Sequence, residues 1–257
     1  MAIYMMRDIP TYNISDYQSL YAADNSFYWF ASPSFWLDGK SALIGGYQYW
    51  TPKYTFSSPY SWITSAGTAN TALRWFYTKP DWTKVFCTDG GYNIYEYDIT
   101  WWDVTTIANS SSKSKSLSTT TYWMWFSQDG KNLYTCDKTY IYQWSLSTAW
   151  DISTISSSYV NSITNLGNYI YDIALDMTWT KLYITVYQWI NQYSLWTAWD
   201  ISTINTTATD TLTPSRWSGS ITQIWGITFS TDYKYVAFTW RYGNSNSWYL
   251  STYKIPD

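Results

Sequence analysis

No histidine occurs anywhere in the 257 residues. That removes Ser-His-Asp and Cys-His catalysis and most zinc and iron sites, where imidazole is the base or the ligand. Glutamate occurs once, as Glu96, and Ala and Leu are scarce, so little is available to build helix. Cys87 and Cys136 are the only cysteines. Each falls at the end of an expected second strand, one repeat apart, and both are read as buried thiols rather than a disulfide. Charge is sparse: 15 Lys and Arg stand against 18 Asp and Glu, for a net charge of −3. A dedicated nucleic-acid binder needs a basic face to release phosphate counterions, and an electrostatic membrane anchor needs the same. Neither nucleic acid nor membrane insertion is expected. No run approaches the ~18 apolar residues of a spanning helix. Met1 to Pro10 holds Arg7 and Asp8 without an apolar core, so no signal peptide is visible. No cofactor, no metal and no enzymatic activity are expected.

What is present is aromatic and β-branched. Tyr numbers 28 and Trp 20, and aromatics make up 22% of the residues. These are strand formers, which points to an all-β chain. The stretch Ile141-Tyr142-Gln143-Trp144-Ser145-Leu146-Ser147-Thr148-Ala149-Trp150-Asp151-Ile152-Ser153-Thr154-Ile155 returns almost unchanged from Ile190 to Ile204, and a weaker copy runs from Ile94 to Ile107. The Trp-Asp pairs begin at 102, 150 and 199, steps of 48 and 49 residues. A period of that length made of short strands marks a repeat architecture.

The units follow in order. The first has expected strands at Phe27–Ala31, Ser41–Ile44 and Tyr47–Trp50, with a turn at Asp38-Gly39. The second has Leu73–Phe76, a turn at Pro80–Thr83, Lys84–Cys87 and Tyr92–Ile99. A Ser-rich run from Asn109 to Ser118 reads as an exposed loop. The third has Tyr122–Ser127, a turn at Asp129-Gly130, Lys131–Tyr134 and Tyr140–Trp144. The fourth has Ile170–Leu175, a turn at Asp176–Thr180 that reads as longer and without its Gly, Lys181–Ile184 and Ile190–Leu195. The fifth has Ile224–Ser230, Lys234–Phe238 and Trp248–Ile255, with no fourth strand.

Residues 1–24 hold Tyr12-Asn13-Ile14-Ser15-Asp16-Tyr17, a degraded form of the segment after Leu146. They can supply the outer strand that the fifth unit lacks and so hide the sheet edges. The expected fold is a five-bladed β-propeller of four-stranded antiparallel blades, closed by the N-terminal strand pairing with the last blade. The blades are placed at about 25–70, 71–120, 121–166, 167–220 and 221–257, since roughly 50 residues per blade account for five rather than six.

Phe126-Ser127-x-Asp129-Gly130-x-x-Leu133-Tyr134, followed by Tyr142-Gln143-x-Ser145-Leu146-Ser147-Thr148-x-Trp150-Asp151-Ile152-Ser153-Thr154, resembles a family of β-propeller repeats. That family occurs in virion or tail-fibre-like proteins of tailed bacteriophages and in marine bacterial genomes. The resemblance implies a fold more firmly than a task, and a virus particle rather than a cellular enzyme. The expected role is a non-enzymatic virion protein, decorating the head or associated with the tail or its fibres, whose partners are other virion proteins. The alternative is a lectin-like receptor binder reading host surface glycans.

Three groups of residues are candidates for that role. Trp102, Asp103, Trp150, Asp151, Trp199 and Asp200 form the repeat motif. They are read as turning each blade through Asx-turns and wedging Trp into the seams, with a sugar platform as the other reading. Trp29, Trp75, Trp123, Tyr171 and Trp225 recur near the start of the first strands, where they either pack between blades or line a mouth that binds glycans. Tyr60 and Trp62, and Arg216 and Trp217, lie in the stretches Thr51–Ala69 and Thr206–Ser220, which read as irregular insertions suited to docking. Asp172 is the only acid placed in a first strand, and it lacks the second carboxylate, roughly 5–10 Å away, that a glycosidase needs.

Overall fold

The computed structural model describes residues 30–35, 41–46, 52–56, 63–68, 75–100, 106–107, 110–164, 166, 169–176, 178–212, 221–229, 235–242 and 248–254. Among them there is no α-helix. Apart from short 3-10 turns, chiefly Ile152–Thr154 and Ile201–Thr203, the regular structure is all strand.

The strands form five antiparallel sheets, each running in chain order. The first holds β1 (Phe30–Phe35), β2 (Ser41–Gly46), β3 (Pro52–Phe56) and β4 (Ile63–Thr68). The second holds β5 (Trp75–Thr78), β6 (Lys84–Thr88), β7 (Asn93–Asp98) and β8 (Lys113–Ser116). The third holds β9 (Trp123–Phe126), β10 (Asn132–Cys136), β11 (Ile141–Ser145) and β12 (Asn161–Ile163). The fourth holds β13 (Ile170–Leu175), β14 (Lys181–Val186), β15 (Trp189–Ser194) and β16 (Asp210–Leu212). The fifth has three strands among the described residues: β17 (Ile221–Phe229), β18 (Tyr235–Tyr242) and β19 (Trp248–Lys254).

The first strands pack on one another in order. β1 touches β5, β5 touches β9, β9 touches β13, β13 touches β17, and β17 comes back to β1. Burial explains the order within a sheet. Every residue of β9 and β13 is buried, whereas β8 and β16 are largely exposed. A strand enclosed on both faces carries a continuous apolar run, and an edge strand can be short and polar.

Several sequence expectations are corrected. Thr51–Ala69 is not an irregular insertion but supplies β3 and β4, β3 pairing with β2 on one side and with β4 on the other. Pro52 is tolerated because it is the first residue of its strand. The Ser-rich run contains β8, and Thr206–Ser220 contains β16. The strand expected at Phe27–Ala31 is β1 at Phe30–Phe35, and the third strand of that sheet begins at Pro52 rather than Tyr47. The turn at Asp176–Thr180 has not lengthened. Lys79 N–Lys84 O, Ser127 N–Asn132 O and Asp176 N–Lys181 O close the three turns over the same span. Residues 1–24, assigned to the closing strand, lie outside the described residues, as does the turn at Asp38-Gly39.

Candidate functional site

The Trp-Asp motif builds the same corner twice. Asp151 precedes the 3-10 turn Ile152–Thr154, and its Oδ1 accepts from Ser153 N at 3.0 Å and Ser153 Oγ at 2.7 Å. Asp200 does the same with Ser202 N at 2.9 Å and Ser202 Oγ at 2.6 Å. Thr154 Oγ1 donates to Asp151 O at 2.8 Å and accepts from Thr148 N at 3.1 Å, and Thr203 repeats both bonds with Asp200 and Thr197. This is an Asx-capped turn fixed at both ends. Trp150 and Trp199 take positive φ, 62° and 70°, which throws each ring off the corner.

Each ring meets the hairpin between the first two strands of its own sheet. Trp150 N donates to Gly130 O, and Trp199 N to Trp179 O. Trp82, Gly130 and Trp179 hold the same place in successive hairpins, with φ of 56°, 69° and 60°. Gly130 serves where the corner ring lies over the turn, since a Cβ there would fall 2.4 Å from Trp150. In the fourth sheet Trp179 fills that place and stacks on Trp199 with ring centroids 3.6 Å apart.

The corners also reach back to the preceding sheet, and here strand register matters. Tyr134, Gln143 and Asn161 lie side by side across β10, β11 and β12. Tyr134 OH and Gln143 Nε2 both donate to Trp199 O, at 2.6 and 2.8 Å. Ile201 N donates to Gln143 Oε1 at 3.2 Å, and Asn161 Nδ2 to Asp200 Oδ1 at 3.0 Å. One sheet higher, the row is Phe86, Glu96 and Lys113. Lys113 Nζ lies 2.8 Å from Asp151 Oδ1, and the Trp150 ring lies over Phe86 and Tyr77, at 6.4 and 6.3 Å between centroids. Lys113 and the Ser153 hydroxyl bring the Asp151 carboxyl down to about 2. Glu96 is fully buried and paired with Lys84, which spans to Asp98 at 2.9 Å. Tyr134 and Gln143 stood out from sequence only as positions of the repeat motif and Glu96 only as the single glutamate; none was read as a contact to a corner, because their partners lie one repeat away. Trp102 and Asp103 lie outside the described residues.

Four of the five first-strand aromatics come together. Ring centroids step from Trp75 to Trp123 at 5.9 Å, to Tyr171 at 6.4 Å and to Trp225 at 5.2 Å. Trp75, Trp123 and Tyr171 are buried and Trp225 half-buried, which is packing between sheets rather than an open platform. Tyr171 and Trp225 each sit where the register slips, a bulge that re-aims the side chain. On the solvent side of this row, Lys138 Nζ lies 4.1 Å from the Tyr122 ring and 5.2 Å from Tyr169, a pair of cation–π contacts that sequence reading missed. Trp29, Tyr60, Trp62, Arg216 and Trp217 lie outside the described residues.

Asp172 is buried, and both oxygens accept from backbone: Oδ1 from Ile173 N at 2.8 Å and Oδ2 from Ile227 N at 3.0 Å. It ties the fourth sheet to the fifth. Cys87 and Cys136 are free and buried. Burial, with Asp89 nearby, pushes the Cys87 thiol up to about 12, and burial raises Cys136 well above the ordinary thiol value, so neither is a ready nucleophile.

No family model matches the chain, and no curated protein matches it. Among solved structures, the crystal structure of a functionally unknown protein from Desulfotomaculum acetoxidans is similar over 88% of this chain and 70% of that one, at 9% identity and a TM-score of 0.47. A likeness at that level carries no argument about function.

Proposed function

We propose that the chain is a five-bladed β-propeller whose N-terminal segment completes the last blade, and that it serves as a non-enzymatic docking module of a bacteriophage particle. The cyclic packing of β1, β5, β9, β13 and β17 supports the ring, since blades meet through their first strands. The closure has its own test. Removing residues 1–20 bares a three-stranded edge, so the truncated protein should aggregate or melt well below the full chain. A normal melt and a monomeric elution profile would sink the closure.

The observation that carries the docking role is the repeated corner, Asp151 on Lys113 and Asp200 on Asn161. The motif that marks the repeat is committed to holding neighbouring sheets together, which leaves outer loops to meet partners. The occupied Asp172 carboxylate and the absence of histidine support a non-enzymatic role. The virion setting rests on the resemblance of the repeat. The test is to image intact particles with the protein labelled, alongside a glycan array of the purified protein. Density on head or tail with a blank array is expected. Specific glycan binding without stable retention on particles would replace the docking role with receptor binding.

A further inference from the structure

Each second strand ends beside the start of its first strand, so the connections to the third strands stand at the same end as the aromatic row. One residue in each connection takes positive φ: Gly90 at 76°, Lys138 at 86° and Tyr187 at 48°. These tips are pinned to the sheet that follows. Thr121 N donates to Gly91 O, Ile170 N to Lys138 O and Ile224 N to Tyr187 O. The turn recurs, and glycine adopts it without strain, as Gly90 does in the second sheet. A lysine at that φ is strained, so the turn itself gives no reason for Lys138.

The side chain does. Lys138 Nζ sits between two phenol rings, 4.1 Å from Tyr122 and 5.2 Å from Tyr169. Burial by itself would lower the ammonium, but the Tyr169 and Tyr122 hydroxyls outweigh it and raise the group above its ordinary value. Lys138 is therefore charged at neutral pH. It belongs to none of the ion pairs among the described residues. The adjacent carboxylate is engaged elsewhere: Asp137 Oδ1 accepts from Thr139 N and Tyr140 N, and Oδ2 from Tyr142 OH. The rim around the cation is aromatic. Tyr169 and Tyr187 are exposed, and the Tyr171 hydroxyl lies within electrostatic reach of both and of Lys138.

We propose that Lys138, flanked by Tyr169 and Tyr187, is a docking point for a carboxylate presented by a partner protein, as an Asp or Glu side chain or a chain terminus. One fixed monovalent cation matches one monovalent carboxylate, whereas a phosphate polymer needs several cations to release its counterions. The phenol rings give the stem of such a residue apolar cover, and Tyr is a frequent interface anchor. This rests on the docking role and names the chemistry of the partner. A chain of net charge −3 has no general attraction for polyanions, so binding of one would be local.

The test is fluorescence anisotropy of labelled poly-L-glutamate with the purified full chain at low salt and neutral pH. Lys138→Gly removes the charge and suits the backbone, so its Tm should stay within a few degrees. Lys138→Gln keeps a side chain of similar reach without the charge and serves as the second variant. Saturable binding by the wild type, weakened several-fold in both variants and by added salt, is the expected result. No binding by the wild type, or equal binding by the variants, overturns the site. Tighter binding of labelled hyaluronate than of poly-L-glutamate overturns the protein source of the carboxylate. No particle enters the assay, so its failure leaves the docking role standing, and particles without density for the protein remove that role separately.

Discussion

Trp150 shows how much a single side chain can join. Its ring lies over Phe126 of its own sheet, at 5.4 Å between centroids, and over Tyr77 and Phe86 of the one before. Truncation leaves a cavity bordered by elements that cannot close on it, so Trp150→Ala should cost about 3–5 kcal/mol in a thermal melt. A change under about 1 kcal/mol would mean the ring is surface decoration. Asp151 gives a pH signature. Its folded value of about 2 lies below the ordinary 3.8, so the stabilisation is full above that ordinary value and drains away as pH falls through about 2. Lys113 is the main cause, so Lys113→Met should flatten the stability profile between those two pH values. Melts of both proteins from pH 2 to 5 check this, and parallel curves would deny the pair any role. The Trp-Asp residues were legible because they recur. Their sockets were not, since Tyr134, Gln143 and Asn161 look like ordinary polar strand residues until the register aligns them.

At the level of elements, the corner and the row beneath it act as one staple between sheets. Gln143 is its centre, giving Nε2 to Trp199 O and Oε1 to Ile201 N. Gln143→Leu strands the buried Ile201 N and takes one of two donors from Trp199 O, and should cost about 1–3 kcal/mol, whereas Tyr134→Phe removes only the other donor to that carbonyl and should cost about 1 kcal/mol or less. Phe86 already stands at the Tyr134 place one sheet earlier, which is why the second change should be mild. Chemical denaturation of the two variants would expose a reversed ranking. First and second strands were readable from their apolar runs. Fourth strands were not: Lys113-Ser114-Lys115-Ser116, Asn161-Ser162-Ile163 and Asp210-Thr211-Leu212 are short and polar because an outer strand has one face in water. That single fact turned Thr51–Ala69 and Thr206–Ser220 into apparent insertions. The length of the Asp176 turn was misjudged for a related reason: Trp179 occupies a positive φ that sequence habit reserves for Gly.

For the whole molecule, the corrected strand positions redistribute the candidates for attachment. Residues 57–62, with Tyr60 and Trp62, connect β3 to β4, the place in the chain where Trp150 and Trp199 form corners. From that place in the chain, Tyr60 and Trp62 are expected to act with the staples rather than in docking. Residues 213–220, with Pro214, Arg216 and Trp217, connect β16 to β17 and so link one sheet to the next, outside any corner. The equivalent link from β12 to β13 spans residues 164–169 and carries no Arg or Trp. A connection longer than its counterpart, with Trp and Arg added, is where a rigid scaffold gains a binding loop, because those two residue types dominate interface energies. On the proposed docking role, Arg216→Ala with Trp217→Ala should lower occupancy of the protein on purified particles several-fold while shifting Tm by no more than a few degrees. Tyr60→Ala with Trp62→Ala should do the reverse, lowering Tm and sparing the occupancy of what remains folded. Full occupancy of the Arg216 and Trp217 double variant would remove the loop from attachment, and a large fall in its Tm would return it to the fold.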